Sequence, residues 1–513
     1  MQTVGSLDGG INDLFLSRDG RHLILKTGIS ELPKNWKQYE DQTIQTAFRR
    51  VIPPGASSGL LRYEWIDLST NQSTPILEAP APFSSDELLW APDSRSVLLG
   101  GVYLPLDSND VGRQKERKSA KYVIEIRLPT RKVIEVRAGE LIPVHWDQQA
   151  NVVQFRMRSN QSQAVSERKD VYYQKVQDEW KQVLSSSSGQ PKHLPDIVVD
   201  QDLNIPPRIV AINGATRQTI LDLNPQFAGL AFGRVEPIEW PDGSGETMNG
   251  GLYLPPNYDP SHRYPLVIQT HGFDPHAFWI DGPWSTAFAA QPLAGRGIVV
   301  LQINDSVESW RNTSVESERI MRAYESAIDF LDQKGIIDPR RVGIVGFSRT
   351  CLYVKYTLTH SRRRFAAAVA SDGFDGGYFE YVAAGPLAKS EMEAVAGALP
   401  FGPELGLWMR KAPGFLLDKV QTPIQLHANA AASLLEQWEW FAGLKRLGKA
   451  VDLLYIPADV HILMKPWDRM AAEQASVDWF CFWLKGEENP NPEKATQYVR
   501  WRQLRALTRS PSE

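Results

Sequence analysis

The sequence predicts two domains of different architecture. The C-terminal half reads as a doubly wound, mostly parallel α/β sheet, and the part ahead of it as an all-β domain of propeller type, partial or reduced. Three observations carry this. From about residue 235, strand-like apolar runs alternate with helix-like ones, a grammar that gives a parallel sheet covered on both faces. Before that point short alternating runs recur between polar turns. The run Val342-Gly-Ile-Val-Gly-Phe-Ser-Arg-Thr-Cys351 then passes from a buried strand, through a tight turn with Ser348 at its apex, into a helix.

Composition bounds the function. A chain of 513 residues calls for two or three domains. A formal net charge of −4 implies no polyanion partner, so the cluster Arg113, Lys115, Arg117, Lys118 and Lys121 reads as a solvated loop rather than a nucleic-acid site. Two cysteines, Cys351 and Cys481, exclude a disulfide framework. No apolar run is long enough to span a membrane. The first eight residues lack the charged and apolar regions of a secretory signal. The expected location is therefore the cytoplasm, or the periplasm if the chain has lost its beginning.

The N-terminal elements follow a loose repeat. Leu16-Ser-Arg-Asp-Gly-Arg-His-Leu-Ile24 resembles Trp90-Ala-Pro-Asp-Ser-Arg-Ser-Val-Leu98, and Trp146-Asp-Gln-Gln-Ala-Asn-Val-Val153 is a weaker third copy. Each reads as a turn between two strands, and the first two are followed by a further hairpin turn at Thr70-Asn-Gln and Pro129-Thr-Arg. All-β repeats of about 50 residues suggest propeller blades, with room for about four before residue 230. Ser185 to Pro191 reads as a flexible loop.

In the C-terminal half, Gly250 to Pro255 forms an edge hairpin. Tyr264 to Thr270 and Ile298 to Ile303 are strands, the first ending in His271-Gly-Phe273. Thr313-x-x-Glu316 reads as a capping box for a helix reaching Lys334, with Ile320, Ala323, Ala327, Ile328 and Leu331 on one face. Phe365 to Ala370, Pro423 to Leu426 and Val451 to Ile456 supply three more strands, and Met470 to Leu484 a closing helix.

The serine turn departs from the usual G-x-S-x-G in one place: Thr350 stands where a second glycine is expected, and demands extra room or a slightly opened turn. His461 follows the strand Val451 to Ile456 by a short loop that delivers it to the sheet edge where Ser348 lies. It is the candidate base, since a serine hydroxyl is a weak nucleophile until a base takes its proton.

With these pieces placed, the C-terminal half resembles the α/β-hydrolase domain of the prolyl oligopeptidase family of serine peptidases. The matching segments are Tyr253-Leu-Pro-Pro256, Tyr264-Pro-Leu-Val267 into His271-Gly272, Leu293-Ala-Gly-Arg-Gly-Ile298, Ile337 through Ser348, and His461. Gly346-Phe-Ser-Arg-Thr350, Trp438 to Gly448 and His461 to Trp467 are similar to one bacterial branch of it, the lasso-peptide isopeptidases, which hydrolyse the isopeptide bond closing a lasso peptide's ring. The resemblance implies a propeller-like domain over 1–232 and an α/β-hydrolase peptidase domain over 233–513. It implies a peptide substrate, no cofactor and no metal.

The site residues follow. Ser348 is the nucleophile and His461 the base. The backbone N–H of Arg349 forms the oxyanion hole with that of Gly272 or Phe273, and His271 is structural in that loop. The family places its acid just after the strand Pro423 to Leu426. Here that text is His427-Ala-Asn-Ala-Ala-Ala-Ser433, without a carboxylate. The expected acids are therefore Glu436, which Ser433-x-x-Glu436 also offers as a capping box, or Glu439, one turn further on. The Arg349 side chain either meets substrate or pairs with Asp372 or Asp375. Phe374, Tyr378, Phe379, Tyr381, Phe401 and Trp408, in the insertion 374–416, are candidates to line the acyl-side pocket or to pack as a helical cap. Two other readings stand beside the isopeptidase: an oligopeptidase for linear peptides, and a peptide-binding protein whose site has decayed, motivated by Thr350 and the missing aspartate.

Overall fold

The computed structural model describes residues 11–29, 31–49, 60–81, 88–107, 110–157, 170–183, 196–213, 216–305, 307, 309–383 and 386–508. The expected loop at 185–191 and the first eight residues lie outside them. The chain divides into two compact units, 1–194 with 385–387, and 195–384 with 388–513.

The first unit contains three four-stranded antiparallel meanders. They are β1 (Ile11–Leu16), β2 (His22–Gly28), β3 (Leu61–Asp67) and β4 (Gln72–Pro75); β5 (Leu88–Trp90), β6 (Ser96–Val102), β7 (Tyr122–Arg127) and β8 (Lys132–Ala138); β9 (Leu141–Asp147), β10 (Val152–Met157), β11 (Asp170–Val176) and β12 (Glu179–Val183). Helices α1 (Gln42–Arg49) and α2 (Val111–Arg117) lie in loops between strands. Each repeat of the sequence is the first hairpin of one meander. Gly20 and Ser94 hold equivalent left-handed turn positions, at φ of 70° and 60°, a region open to glycine and tolerated by few other residues. Strand alternation sends neighbouring residues into different cores. Val97 and Leu99 of β6 pack with Ile24 and Trp65 in one layer, while Leu98 packs with Trp146, Val153 and Phe155 in the next. Sheets stacked through both faces are what propeller blades require.

The second unit opens with a three-stranded antiparallel sheet, β13 (Asp196–Asp202), β14 (Ile205–Asn213) and β15 (Thr216–Asp222). The expected boundary at 232/233 placed this segment with the β-rich half; the structure divides the chain at 194/195. The reason is local. Asn204 bonds both backbone groups of Val235, at 2.8 and 3.0 Å, and Phe227 and Phe232 pack their rings on Phe278.

The main sheet holds eight strands: β16 (Val235–Pro241), β17 (Thr247–Tyr253), β18 (Tyr264–Gln269), β19 (Val299–Ile303), β20 (Ile337–Phe347), β21 (Ala367–Ser371), β22 (Ile424–Ala428) and β23 (Val451–Tyr455). Their order is β16-β17-β19-β18-β20-β21-β22-β23. The first two pairings are antiparallel and the rest parallel. The helices are α3 (Ala290–Gly295), α4 (Glu316–Gln333), α5 (Thr350–His360), α6 (Tyr378–Ala383), α7 (Pro386–Ala396), α8 (Leu405–Lys411), α9 (Ala431–Arg446), α10 (Pro466–Phe480) and α11 (Ala495–Thr508). Leu266, Ile268 and Ile344 face a core shared with α4, α5 and α9. Val267, Val300 and Val345 face the opposite core with α3, α10 and α11. The five apolar residues expected on one face of α4 are all buried there, but the helix opens at Glu316, not at Thr313.

Candidate active site

Register builds the site. In the parallel sheet Phe347 of β20 lies opposite Ser371 of β21, and Ser371 lies opposite His427 of β22. The first residues beyond the strands β20 and β21, Ser348 and Asp372, are therefore neighbours at the C-terminal edge. Both have left-handed backbones, at φ of 53° and 46°, so each chain turns sharply and its side chain stands clear of the sheet. The turns are tied together: Ser348 N–H donates to Ser371 O at 3.2 Å and Phe374 N–H to Ser348 O at 3.0 Å. A Cβ on Gly373 would sit 2.3 Å from both Ser348 O and Cys351 Sγ, so only glycine lets the two turns approach this closely.

His461 completes a continuous line. Its Nε2 lies 2.8 Å from Ser348 Oγ, and its Nδ1 lies 2.7 Å from Asp372 Oδ2. The ring stacks on Phe347, with centroids 4.6 Å apart. Asp372 is buried, and its second oxygen accepts the Asn429 N–H at 2.8 Å. Asn429 also holds the histidine loop. Its carbonyl accepts from the N–H groups of Ala458 and Asp459, and its Nδ2 donates to His461 O at 3.3 Å.

The carboxylate on His461 is thus Asp372, correcting the expectation of Glu436 or Glu439. The physical reason is where α9 begins. It starts at Ala431, and Ser433 spends its hydroxyl inside the first turn, on the backbone of Asn429 and Ala430. No Ser433–Glu436 capping box forms. Glu436 is half-buried; burial, and then the charge on Asp372, raise its pKa above the usual carboxylate value. Glu439 points elsewhere, against Gly377 and Gly414, and burial raises its pKa too. A signal for Asp372 was present: an aspartate directly after a strand of small buried residues and directly before glycine.

Thr350 fits the turn without opening it. Its buried hydroxyl accepts from Phe347 N–H at 3.0 Å, donates to Phe347 O at 2.7 Å, and meets Thr270 Oγ1 at 2.6 Å. It closes the turn that a second glycine would leave to backbone alone.

The oxyanion loop narrows the donors. Gly272 N–H is already spent on Ile303 O at 3.1 Å, so it is not an oxyanion donor. Phe273 N–H and Arg349 N–H have no protein acceptor among the described residues. His271 is structural, as the sequence indicated: its N–H donates to buried Asp305 at 3.1 Å, and its Nδ1 accepts from Trp284 Nε1. Burial first, then the nearby charges of His461 and Arg311, lower the His271 pKa. Burial pushes Asp305 up to about 7.

The Arg349 side chain takes neither expected role. Its guanidinium grips Glu316 at the start of α4 at 2.8 and 2.9 Å, and also reaches Asn312 and Glu391. Phe374 and Trp408 line a cavity with Leu352, Tyr356, Met392 and Pro413. Tyr381, Phe401 and Trp408 pack edge to face as a helical cap. Burial pushes the Cys351 thiol up to about 12, leaving it inert at neutral pH.

Comparison with known proteins places this geometry. No family model matches the chain. A lasso peptide isopeptidase, AtxE2 of Asticcacaulis excentricus, is 29% identical over 355 residues, covering 64% of this chain and 49% of that protein. Dipeptidyl-peptidase 5 of Porphyromonas gingivalis is 22% identical over 272 residues, covering 49% of this chain and 39% of that one. The matches thus span about half or less of these relatives' length. Among solved structures, AtxE2 isopeptidase in a serine-to-alanine variant with Astexin3-dC4 bound superposes with a TM-score of 0.63 at 23% identity, covering 99% of this chain and 80% of that one. Acylaminoacyl peptidase of Pyrococcus horikoshii gives 0.58 at 14%, covering 94% and 84%. The chain therefore has the two-part architecture of these peptidases, a propeller-type β domain with an α/β-hydrolase domain, and it resembles the isopeptidase branch of the prolyl oligopeptidase family.

Proposed function

We propose that this chain is a serine hydrolase that cleaves peptides through an acyl-enzyme, and that its substrate is a lasso peptide whose ring-closing isopeptide bond it hydrolyses. One observation carries the chemistry: the unbroken line Asp372–His461–Ser348, at 2.7 and 2.8 Å. His461 Nε2 takes the hydroxyl proton as Ser348 Oγ attacks the carbonyl carbon. Asp372 fixes the proton on Nδ1, leaving Nε2 free to accept, and stabilises the imidazolium that forms. The tetrahedral oxyanion is received by the N–H groups of Arg349 and Phe273. His461 then returns the proton to the leaving amine. Water, activated by the same imidazole, attacks the acyl-enzyme and regenerates Ser348.

The decayed-site reading rested on two features, and both have structural answers. The acid is present one strand nearer the nucleophile, and Thr350 supports the turn. The substrate assignment rests on the likeness to AtxE2, while the likeness to dipeptidyl-peptidase 5 favours a linear peptide as the second reading.

Mass spectrometry of a threaded lasso peptide, incubated with the protein and with Ser348→Ala, tests both. A gain of one water giving a linear chain, with wild type alone, is the expected result. An intact lasso peptide alongside a cleaved linear peptide moves the assignment to an oligopeptidase. No reaction on either substrate overturns the hydrolase reading.

A further inference from the structure

Helix α5 follows the nucleophile and is almost entirely buried, yet its middle carries a lysine. Lys355 is wholly inaccessible. Its ammonium forms an ion pair with the equally buried Asp375, donates to Gln437 Oε1 at 3.0 Å, and lies 5.0 Å from the centre of the Trp440 ring. Gln437 passes the contact on: its Nε2 donates to the carbonyl of Gly373 at 3.0 Å, the residue after Asp372. Glu380, at the start of α6, accepts the N–H groups of Asp375 and Gly376, both at 2.8 Å. Every turn of the segment 373–376 is thus held, and the one cation in the arrangement comes from the helix that begins at the nucleophile.

This is an expensive way to fill a core. Desolvating an ammonium and a carboxylate costs several kcal/mol per ion, and an apolar pair of similar volume often serves stability as well or better. What an apolar pair lacks is direction. Ser348 and Asp372 lie on separate turns, and a catalytic geometry tolerates little error, a displacement of about 1 Å costing about 10²-fold in rate. We propose that Lys355 is a positioning residue: through Asp375 and through Gln437 it holds the segment that carries Asp372 in register with Ser348 and His461. The inference rests on the serine hydrolase reading above and adds to it a residue that touches neither substrate nor triad.

The surroundings give this device a pH dependence. The groups facing the Lys355 ammonium are Asp375, Glu380 of α6, Glu436 and Glu439 of α9, and Cys351 on its own helix. Burial brings the ammonium down to about 8, against the pull of these groups. Burial first, then the charge on Glu436, brings the Glu380 carboxyl up to about 8. As pH rises through about 8, Lys355 loses its charge and Glu380 gains one. The segment is then lined by carboxylates with no cation to hold them, and Asp372 is released from its position.

The test compares wild type, Lys355→Met and Lys355→Arg, each checked for folding by circular dichroism. Two readouts are taken on the same samples: the rate at which a fluorophosphonate labels Ser348 as a function of pH, and the far-downfield proton resonance of the His461–Asp372 hydrogen bond. Failure of wild type to label sinks the hydrolase reading alone, because the resonance reports positioning without turnover. The proposal expects Lys355→Met to label about 10²-fold more slowly and to lose the resonance, with an unfolding temperature equal to or above wild type. It expects Lys355→Arg to keep the resonance and to move the alkaline fall in labelling to higher pH, since a guanidinium stays charged. A Lys355→Met protein with wild-type resonance and labelling overturns it. Should Lys355→Met not fold, an alkaline limb that stays in place in Lys355→Arg overturns it equally.

Discussion

Asp372→Asn separates the acid observed here from those expected. The carboxylate accepts the Nδ1 proton of His461 at 2.7 Å and the Asn429 N–H at 2.8 Å. An amide of the same shape keeps the second contact when its oxygen faces Asn429. Its NH2 then faces His461 and can only donate, so the imidazole must place its proton on Nε2, the atom that has to accept from Ser348. In a triad of this geometry the wrong tautomer costs about 10⁴-fold in turnover, or about 5.4 kcal/mol of transition-state stabilisation at 1.36 kcal/mol per decade. The fold should be indifferent, because volume and packing are unchanged. The assay is kcat/KM on a cleaved peptide together with fluorophosphonate labelling of Ser348, run beside Glu436→Gln and Glu439→Gln. Both glutamine variants are expected within about threefold of wild type, since neither carboxylate bonds His461 and the acid they would replace is already in place. A loss below tenfold in Asp372→Asn, or a loss in Glu436→Gln to match it, would refute the register argument that places the acid after β21.

Three further changes probe the frame around the triad. Arg349→Ala keeps the backbone N–H but strips the guanidinium from Glu316, whose side chain is almost wholly buried. Leaving a buried charge unpaired costs about 3–5 kcal/mol, so the hydrolase unit should melt earlier in calorimetry, with Arg349→Lys intermediate for lack of the planar fork. Thr350→Val preserves shape and deletes the hydroxyl that serves both backbone groups of Phe347; about 1–3 kcal/mol should be lost in denaturant unfolding, and Thr350→Ser should recover most of it. Asp305 reaches about 7 in the folded chain against 3.8 unfolded. Its contribution is therefore full below about pH 4 and is lost as pH rises through about 7. Asp305→Asn should flatten the fall in stability between pH 4 and 8, seen as a smaller drop in unfolding temperature than in wild type.

The elements written in periodicity were legible in the sequence. The repeat around Asp19-Gly20 and Asp93-Ser94 marks the first hairpin of a four-stranded meander because a left-handed turn residue is needed at one fixed place. The face of α4 follows from 3.6-residue spacing, and the serine turn from strand, glycine and helix in succession. What failed depends on where one segment stands against another. The start of Glu316's helix moved because its carboxylate answers Arg349, 33 positions away, and no local window contains that partner. Gly272 looked equivalent to Phe273 as a donor until its N–H was found on Ile303 O, across the sheet. The segment 196–222 read as another blade because its strands alternate like the others; Asn204 and the Phe278 ring stack tie it to the second unit.

The acid shows why such errors are structured. Once β20, β21 and β22 lie parallel with their ends aligned, two adjacent turns stand within reach of one imidazole, and either can supply its carboxylate. The sequence fills the further turn with Asn429, whose N–H, carbonyl and side-chain amide respectively bind Asp372, the backbone of Ala458 and Asp459, and His461 O. A side chain that would have been the acid has become the clamp between the acid and the base. Moving the carboxylate one strand closer to the nucleophile brings Gly373 under Ser348 with no space for a Cβ, and it puts the acid on a segment whose next residues are gripped by α5 and α9. The position that looks like a loss in one strand is thus matched by constraints in two others, and Asp372→Asn combined with Asn429→Asp measures whether the exchange is reversible. Restored labelling of Ser348 in that double variant would show that both turns reach the imidazole; activity no better than Asp372→Asn alone would show that only the turn after β21 does.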